Sequence, residues 1–123
     1  MTEQDKKMLI KAISCYMQHG LKCDVTVDGV HCIGDVVGAN IDGMVEINRF
    51  GCKSVVENVK PYLRPMSSMT KDELYHIKTF FPSGLDTLDE FSDYINWLEE
   101  NKFDYKDLIG HGMALPAPDD MYR

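Results

Sequence analysis

The sequence lacks long hydrophobic runs. Its longest apolar runs are only a few residues, and it begins with the charged segment MTEQDKKMLI. A membrane-spanning helix needs about 20 mainly apolar residues, and a secretory signal peptide needs an apolar stretch behind its charged start. We therefore expect a soluble protein of the cytoplasm that makes no membrane contact.

Basic residues are scarce. Thirteen Lys and Arg stand against twenty Asp and Glu, which gives a net charge of -7. Nucleic-acid binding depends on cations that neutralise phosphates, so generic binding to DNA or RNA is disfavoured. The acidic excess lies in the C-terminal half, because residues 67–123 carry twelve acids and five bases, whereas residues 1–66 carry eight of each.

Cysteines are few, and catalytic motifs are missing. The four cysteines, which form no C-x-x-C pair, are Cys15, Cys23, Cys32 and Cys52. A disulfide scaffold requires a higher cysteine density and an oxidising compartment, so we interpret them as reduced, mostly buried thiols. The P-loop, the H-E-x-x-H motif and the G-x-S-x-G motif are absent. This pattern disfavours an enzyme and predicts no cofactor.

The N-terminal half predicts a helix followed by a sheet. Thr2 and Asp5 form an N-cap pattern, and apolar residues then recur at helical spacing over residues 3–19. Asp28-Gly29 is a favoured two-residue hairpin turn, which pairs Val25 with Cys32. A second Asp-Gly turn at residues 42–43 pairs Asn40 with Val45 and places Val45 on the core face.

The second half predicts one more strand and then helices. Glycines at positions 34 and 38 predict a bulge or bend in the middle strand. Val59–Leu63 is predicted as a fourth strand, and its proline confines it to an edge. Capping boxes at Thr70/Glu73 and Thr87/Glu90 start two helices, the first with Leu74 on its apolar side.

These elements fit one domain, since 123 residues with 44% hydrophobic content can bury one sizeable core. We predict an α+β fold in which the N-terminal helix and the C-terminal helices pack on a curled antiparallel meander of three or four strands. The predicted parts are a helix over residues 1–20, the sheet over 21–65, a helical region over 66–112 and an extended tail over 113–123.

An acidic face is the first candidate site. Its members are Asp86, Asp89, Glu90, Asp93, Glu99 and Glu100. The first four recur at one-face helical spacing, and paired carboxylates can bind a divalent ion or act as acid and base. Acids near a helix N-terminus are also stabilised by the helix dipole without any further role. Of the functional readings, we favour a docking surface for a basic protein partner.

A small basic and aromatic patch is the second candidate. It consists of Arg49, Lys60, Tyr62 and Arg64. Cations interleaved with aromatic rings are the composition with which small barrels stack single strands. This patch supports the alternative of a small-barrel-like nucleic-acid-binding protein.

Thiols and histidines suggest a third alternative, a metal- or thiol-dependent enzyme. Cys15 and His19 are four residues apart on the first helix, and Cys23 and Cys32 share one face of the predicted hairpin. Two ligands do not make a zinc site, and no third residue orients the cysteine and histidine pair. We therefore predict no metal.

Three strings carry a resemblance to a group of known proteins. The segments KPYLRPMSSMT, FDYKDLIGHGMAL and APDDMY resemble small uncharacterised proteins encoded by bacteriophages and prophages of gut Bacteroidales. The resemblance implies a phage or mobile-element origin, the host cytoplasm as location, and a layout of helix, short sheet and acidic helical end. It implies no activity and no site residues.

Taken together, the sequence predicts a non-enzymatic accessory or interaction protein. The expected partner is a protein, bound through the acidic C-terminal surface, while nucleic acid is disfavoured. Edge strands of a sheet can also pair between subunits, so a homodimer stays open.

Overall fold

A computed structural model of the protein describes residues 2–40, 42–47, 52–80 and 88–122. The fold is α+β, as predicted. The helices are α1 (Glu3–Met17), α2 (Lys71–Phe80) and α3 (Leu88–Glu100). The strands are β1 (Lys22–Val27), β2 (Val30–Ala39), β3 (Met44–Ile47), β4 (Cys52–Val55), β5 (Val59–Leu63) and β6 (Leu115–Pro116).

Helix α1 begins at the predicted cap. The Thr2 hydroxyl accepts a hydrogen bond from the Asp5 backbone N–H (3.1 Å), and the Asp5 carboxylate accepts one from the Thr2 N–H (3.2 Å). This capping box satisfies two backbone donors that would otherwise lack partners. One stripe of the helix is buried against the sheet, comprising Leu9, Ala12, Ile13 and Tyr16. The helix ends two residues earlier than predicted.

The first hairpin has the predicted register. Val25 faces Cys32, and the turn residues Asp28 and Gly29 have φ angles of 50° and 79°. Both values fit a turn of type I′, which matches the twist of the flanking strands. Val25 is buried, as predicted for the core face.

The second hairpin has a different register from the predicted one, although its core face is right. Ala39, rather than Asn40, faces Val45. The Asn40 side-chain oxygen accepts hydrogen bonds from the N–H groups of Asp42 (3.0 Å) and Met44 (3.2 Å), which lengthens the turn. The predicted irregularity occurs as a bulge just before Gly38. Val45 remains buried because the bulge offsets the longer turn.

The sheet contains more strands than predicted, in the order β4-β3-β2-β1-β5-β6. The first half of β2 pairs with β1 and the second half pairs with β3, so this long strand connects the two parts of the sheet. Strand β5 has the predicted bounds but lies between β1 and β6, not at an edge. Pro61 is tolerated there because β6 pairs with β5 only from Tyr62 onward.

The C-terminal segment, which was predicted as an extended tail, is fixed to the sheet. Leu115 pairs in parallel with Tyr62 of β5. The Tyr122 hydroxyl donates to the Tyr62 carbonyl oxygen (2.6 Å) and accepts from the Lys22 N–H (3.0 Å). In the capping box predicted at Thr87/Glu90, Thr87 lies outside the described residues, and so does the side chain of Glu90.

Candidate interaction surfaces

Of the predicted acidic face, the structure describes the side chains of Asp93, Glu99 and Glu100. Asp93 and Glu100 are exposed on α3. Asp89 and Glu90 lie on the same helix, but their side chains are outside the described part of the structure, and Asp86 lies outside the described residues altogether.

Glu99 is a buried residue, not a member of the exposed face. Only 9% of it is exposed, and its carboxylate accepts a hydrogen bond from the Tyr105 hydroxyl at 2.7 Å. Burial and this carboxylate raise the pKa of Tyr105, so the tyrosine stays a proton donor. Glu99 therefore tethers α3 to the segment that follows it.

Helix α2 is held to the rest of the protein by aromatic contacts and by the ion pair between Glu73 and Arg64. The His76 ring lies 5.3 Å from the Trp97 ring of α3, and the Phe80 ring lies 6.1 Å from that of Tyr94. The helix nevertheless has no fully buried residue. Leu74, which was predicted on its apolar side, is 51% exposed.

Helices α2 and α3 therefore expose both apolar and acidic side chains. Tyr75 of α2 is 72% exposed and Phe91 of α3 is 45% exposed. We use the name α2–α3 surface for the exposed residues Leu74, Tyr75, Phe91, Asp93 and Glu100. Large apolar side chains exposed to solvent are a feature of protein-binding surfaces.

The predicted basic patch is divided by the structure. Lys60 and Tyr62 lie at alternate positions of β5, so both side chains reach the sheet face opposite α1. Arg64 continues this alternation, but its guanidinium is bound to Glu73. Arg49 lies outside the described residues.

An open groove of about 490 Å³ surrounds Lys60 and Tyr62. Asp24 of β1, His31 of β2 and Glu57, just before β5, also line it. We call this the outer-face groove. Two carboxylates, those of Asp24 and Glu57, line this groove together with one permanent cation, Lys60. The groove therefore attracts a phosphate group less than the sequence pattern indicated.

Asp24 and His31 form a pair that the sequence analysis did not single out. His31 Nδ1 lies 2.9 Å from the Asp24 carboxylate and 3.3 Å from the Thr26 hydroxyl. A carboxylate only accepts, so Nδ1 is the donor to Asp24. In a catalytic triad the histidine contacts the nucleophile through Nε2. Both of these contacts of His31 are made by Nδ1, so Thr26 does not occupy the position of a triad nucleophile. The alternation of side chains along the hairpin could have revealed this pair, since it places Asp24, Thr26 and His31 on the same face.

The Arg64 side chain is held by two groups, the Glu73 carboxylate and the Phe103 ring. Its guanidinium donates two hydrogen bonds to the Glu73 carboxylate (2.8 and 2.7 Å) and lies 4.1 Å from the centre of the Phe103 ring. Glu73 in turn accepts from the Thr70 N–H at 3.0 Å, which completes the predicted capping box. The Arg64 hydrogen bonds are the main reason why the pKa of Glu73 lies below its usual value. Arg64 therefore joins β5 to α2.

The thiols of Cys15 and Cys23 lie in surroundings that disfavour the reactive thiolate form. Burial raises the pKa of Cys23 to about 12, and burial together with Glu99 raises that of Cys15. Thiolate is the nucleophile and the metal ligand. His19 lies beyond the end of α1. Among the described residues, no group of three or more His, Cys, Asp or Glu side chains is placed to hold a metal ion.

Within the described part of the chain, no helix is long and apolar enough to cross a membrane. Comparison of the chain with models of protein families, with curated proteins and with solved structures found no match.

Proposed function

We propose that this protein is a non-enzymatic interaction protein that binds a basic partner protein through the α2–α3 surface. The observation that carries the proposal is that α2, a ten-residue helix, leaves Leu74 half exposed and Tyr75 mostly exposed and has no fully buried residue. Helices of this length are marginal in water and normally gain their stability by burying an apolar face. In the complex, the partner protein buries these exposed side chains of α2.

The charge of α3 supports a basic partner. Its sequence LDEFSDYINWLEE contains five acids and no base, and Asp93 and Glu100 are exposed on it. Opposite charges across an interface speed association and exclude wrongly charged competitors. The resemblance to phage and prophage proteins supports a bacteriophage or prophage origin, with a host or phage protein of the host cytoplasm as partner.

Capture of proteins from a Bacteroidales lysate tests this function. The immobilised protein is expected to retain at least one basic protein at about 50 mM salt and to lose most of it at about 500 mM, since salt screens exposed charges. The double variant Asp93→Asn/Glu100→Gln is expected to retain about five-fold less, which corresponds to about 1 kcal/mol.

The matched control is Asp28→Asn/Glu46→Gln, which removes two exposed acids from the N-terminal half. It is expected to retain as much as the unaltered protein. Equal retention by both double variants, or no retained protein at either salt concentration, would contradict the proposal.

A second candidate function, binding of single-stranded nucleic acid, is favoured by one observation. Lys60 and Tyr62 lie together in the outer-face groove, where a base can stack on the ring and a phosphate can meet the ammonium group. Fluorescence anisotropy with labelled single-stranded RNA is expected to show binding that weakens with salt and that drops about ten-fold in Tyr62→Ala, since stacking contributes about 1–3 kcal/mol per base. An anisotropy that does not rise at micromolar protein would remove this candidate.

A further inference from the structure

The outer-face groove runs from an apolar end to a polar one. In the register of β1 and β5, Asp24 faces Lys60. Because the two strands are antiparallel, Tyr62 lies toward the start of β1 and Thr26 toward its end. Leu115 of β6 pairs with Tyr62 and lines the groove beside it. The groove therefore fits a ligand in which a flat apolar group is joined to a polar one.

The Asp24 carboxylate gives the groove a hydrogen-bond acceptor at a fixed position. Only 8% of Asp24 is exposed, and its Oδ2 atom lies 2.9 Å from His31 Nδ1. Among the described residues, no hydrogen bond to its second oxygen, Oδ1, is present. A buried polar atom that lacks a partner costs free energy. A ligand that donates a hydrogen bond to Oδ1 is therefore favoured.

His31 provides a second acceptor in the same part of the groove. Its Nδ1 atom donates to Asp24, so in the neutral imidazole the lone pair lies on Nε2. The His31 side chain is 69% exposed, which leaves it accessible to a ligand. Two neighbouring acceptors favour a ligand with hydroxyl donors, such as a sugar.

Lys60 limits the negative charge that the ligand can carry. Of the described residues around the groove, Lys60 is the one permanent cation, and Asp24 and Glu57 are carboxylates. No ion pair of Lys60 is present in the described part of the chain. One phosphate can pair with its ammonium group, whereas each further phosphate would meet the carboxylates. The groove therefore favours contact with one nucleotide rather than with a long stretch of backbone.

We propose that the outer-face groove binds one ribonucleotide, either free or as a unit of an RNA strand, by its base, its phosphate and its 2′-hydroxyl. The base stacks on Tyr62, the phosphate pairs with Lys60, and the 2′-hydroxyl donates to Asp24. Lys60 and Tyr62 are two residues apart on β5, about 7 Å, which the ribose of one nucleotide can span. The 2′-hydroxyl is what distinguishes RNA from DNA, and dinucleotide-binding domains also hold it with a carboxylate.

The inference rests on the second candidate function and adds ribose as the recognised group, so its test compares ribose with deoxyribose. Isothermal titration calorimetry of the full-length protein measures the binding of each ribonucleoside 5′-monophosphate and of its 2′-deoxy form. At least one ribonucleotide is expected to bind about ten-fold more tightly than its deoxy form, which corresponds to about 1.4 kcal/mol. The deoxy forms keep the base and the phosphate, so they report on stacking and charge alone.

Variants of the Asp24 and His31 pair locate the recognition. Asp24→Ala is expected to abolish the preference for ribose, and His31→Ala to reduce it about three-fold, because His31 holds the carboxylate in place. His31 is exposed, so this variant tests the inference even where Asp24→Ala does not fold. Glu46→Ala, which removes an exposed acid of β3 outside the groove, is expected to keep the preference. Circular dichroism checks that each variant is folded.

Short labelled strands distinguish the two sources of the ribonucleotide. Tighter binding of an RNA strand than of the free nucleotide assigns the groove to RNA, whereas equal or weaker binding assigns it to the free nucleotide, and both results support the inference. Equal affinity for the ribose and deoxyribose forms, or a preference that is unchanged in Asp24→Ala and His31→Ala, would overturn it. If RNA and DNA strands bind equally and both lose affinity in Tyr62→Ala, the second candidate function stands and recognition of ribose is excluded. No binding of any nucleotide or strand would exclude both.

Discussion

Replacement of Tyr16 by alanine is expected to lower the free energy of unfolding by about 4 kcal/mol, the largest effect of any single substitution proposed for this chain. Tyr16 is fully buried on the inner face of α1. Its ring lies 6.2 Å from that of Tyr105, and its hydroxyl donates to the carbonyl oxygen of Phe103. The alanine variant loses the ring volume and leaves a cavity between α1 and the C-terminal segment.

Urea unfolding followed by circular dichroism measures this loss. Tyr75→Ala is the matched control, because Tyr75 is 72% exposed and its removal is expected to change stability by less than about 0.5 kcal/mol. Tyr16→Phe removes only the hydroxyl and is expected to cost about 1 kcal/mol. A Tyr16→Ala protein as stable as Tyr75→Ala would show that α1 does not cover the sheet as described.

Local signals explain why much of the fold could be predicted. The turn residues Asp28 and Gly29 and the alternation on both sides of them act within eight or so residues, and both favour the same register. The capping boxes at Thr2 and Thr70 are equally local, and each is present in the structure. Such features need no knowledge of the rest of the chain.

Features that depend on distant residues could not be predicted. The second hairpin is shifted because the Asn40 side chain bonds to its own turn, a choice that competes with strand pairing and leaves no periodic signal. Strand β5 is not an edge strand, because Leu115, which is far along the chain, pairs with Tyr62. Nothing in the pattern of either segment indicates the other.

In the candidate site, too, the local features could be predicted and the features that depend on distant residues could not. Helical spacing correctly put Asp93 and Glu100 on a helix of the acidic half, but it could not separate them from Glu99, whose burial depends on Tyr105. Arg64 was predicted as part of a basic and aromatic patch, but it is bound to Glu73, which α2 brings to it. The capping box was a missed signal, since it already fixed the position of Glu73 at the start of α2.

Removal of Glu73 is the second substitution with a large expected effect. Glu73→Gln keeps the shape of the side chain but removes the charge that faces Arg64, whose side chain is only 25% exposed. Loss of one partner from a buried ion pair costs about 3–5 kcal/mol. Because solvent still reaches Arg64, we expect a smaller loss of about 2 kcal/mol at pH 7. Asp72→Asn, at an exposed neighbouring acid, is expected to have little effect.

The pH dependence of this loss identifies its cause. Since Arg64 lowers the pKa of Glu73 below its usual value of 4.5, the ionised carboxylate is more favoured in the folded protein than in the unfolded chain. Its contribution to stability is therefore complete above the unfolded pKa and is lost as the pH falls through the folded pKa. Urea unfolding is expected to show a gap between the unaltered protein and Glu73→Gln that is full at pH 7 and narrows steadily at pH values below about 4.5. A gap of constant size from pH 7 to pH 3 would mean that the side chain stabilises the junction of β5 and α2 through its shape and its hydrogen bonds, and not through its charge.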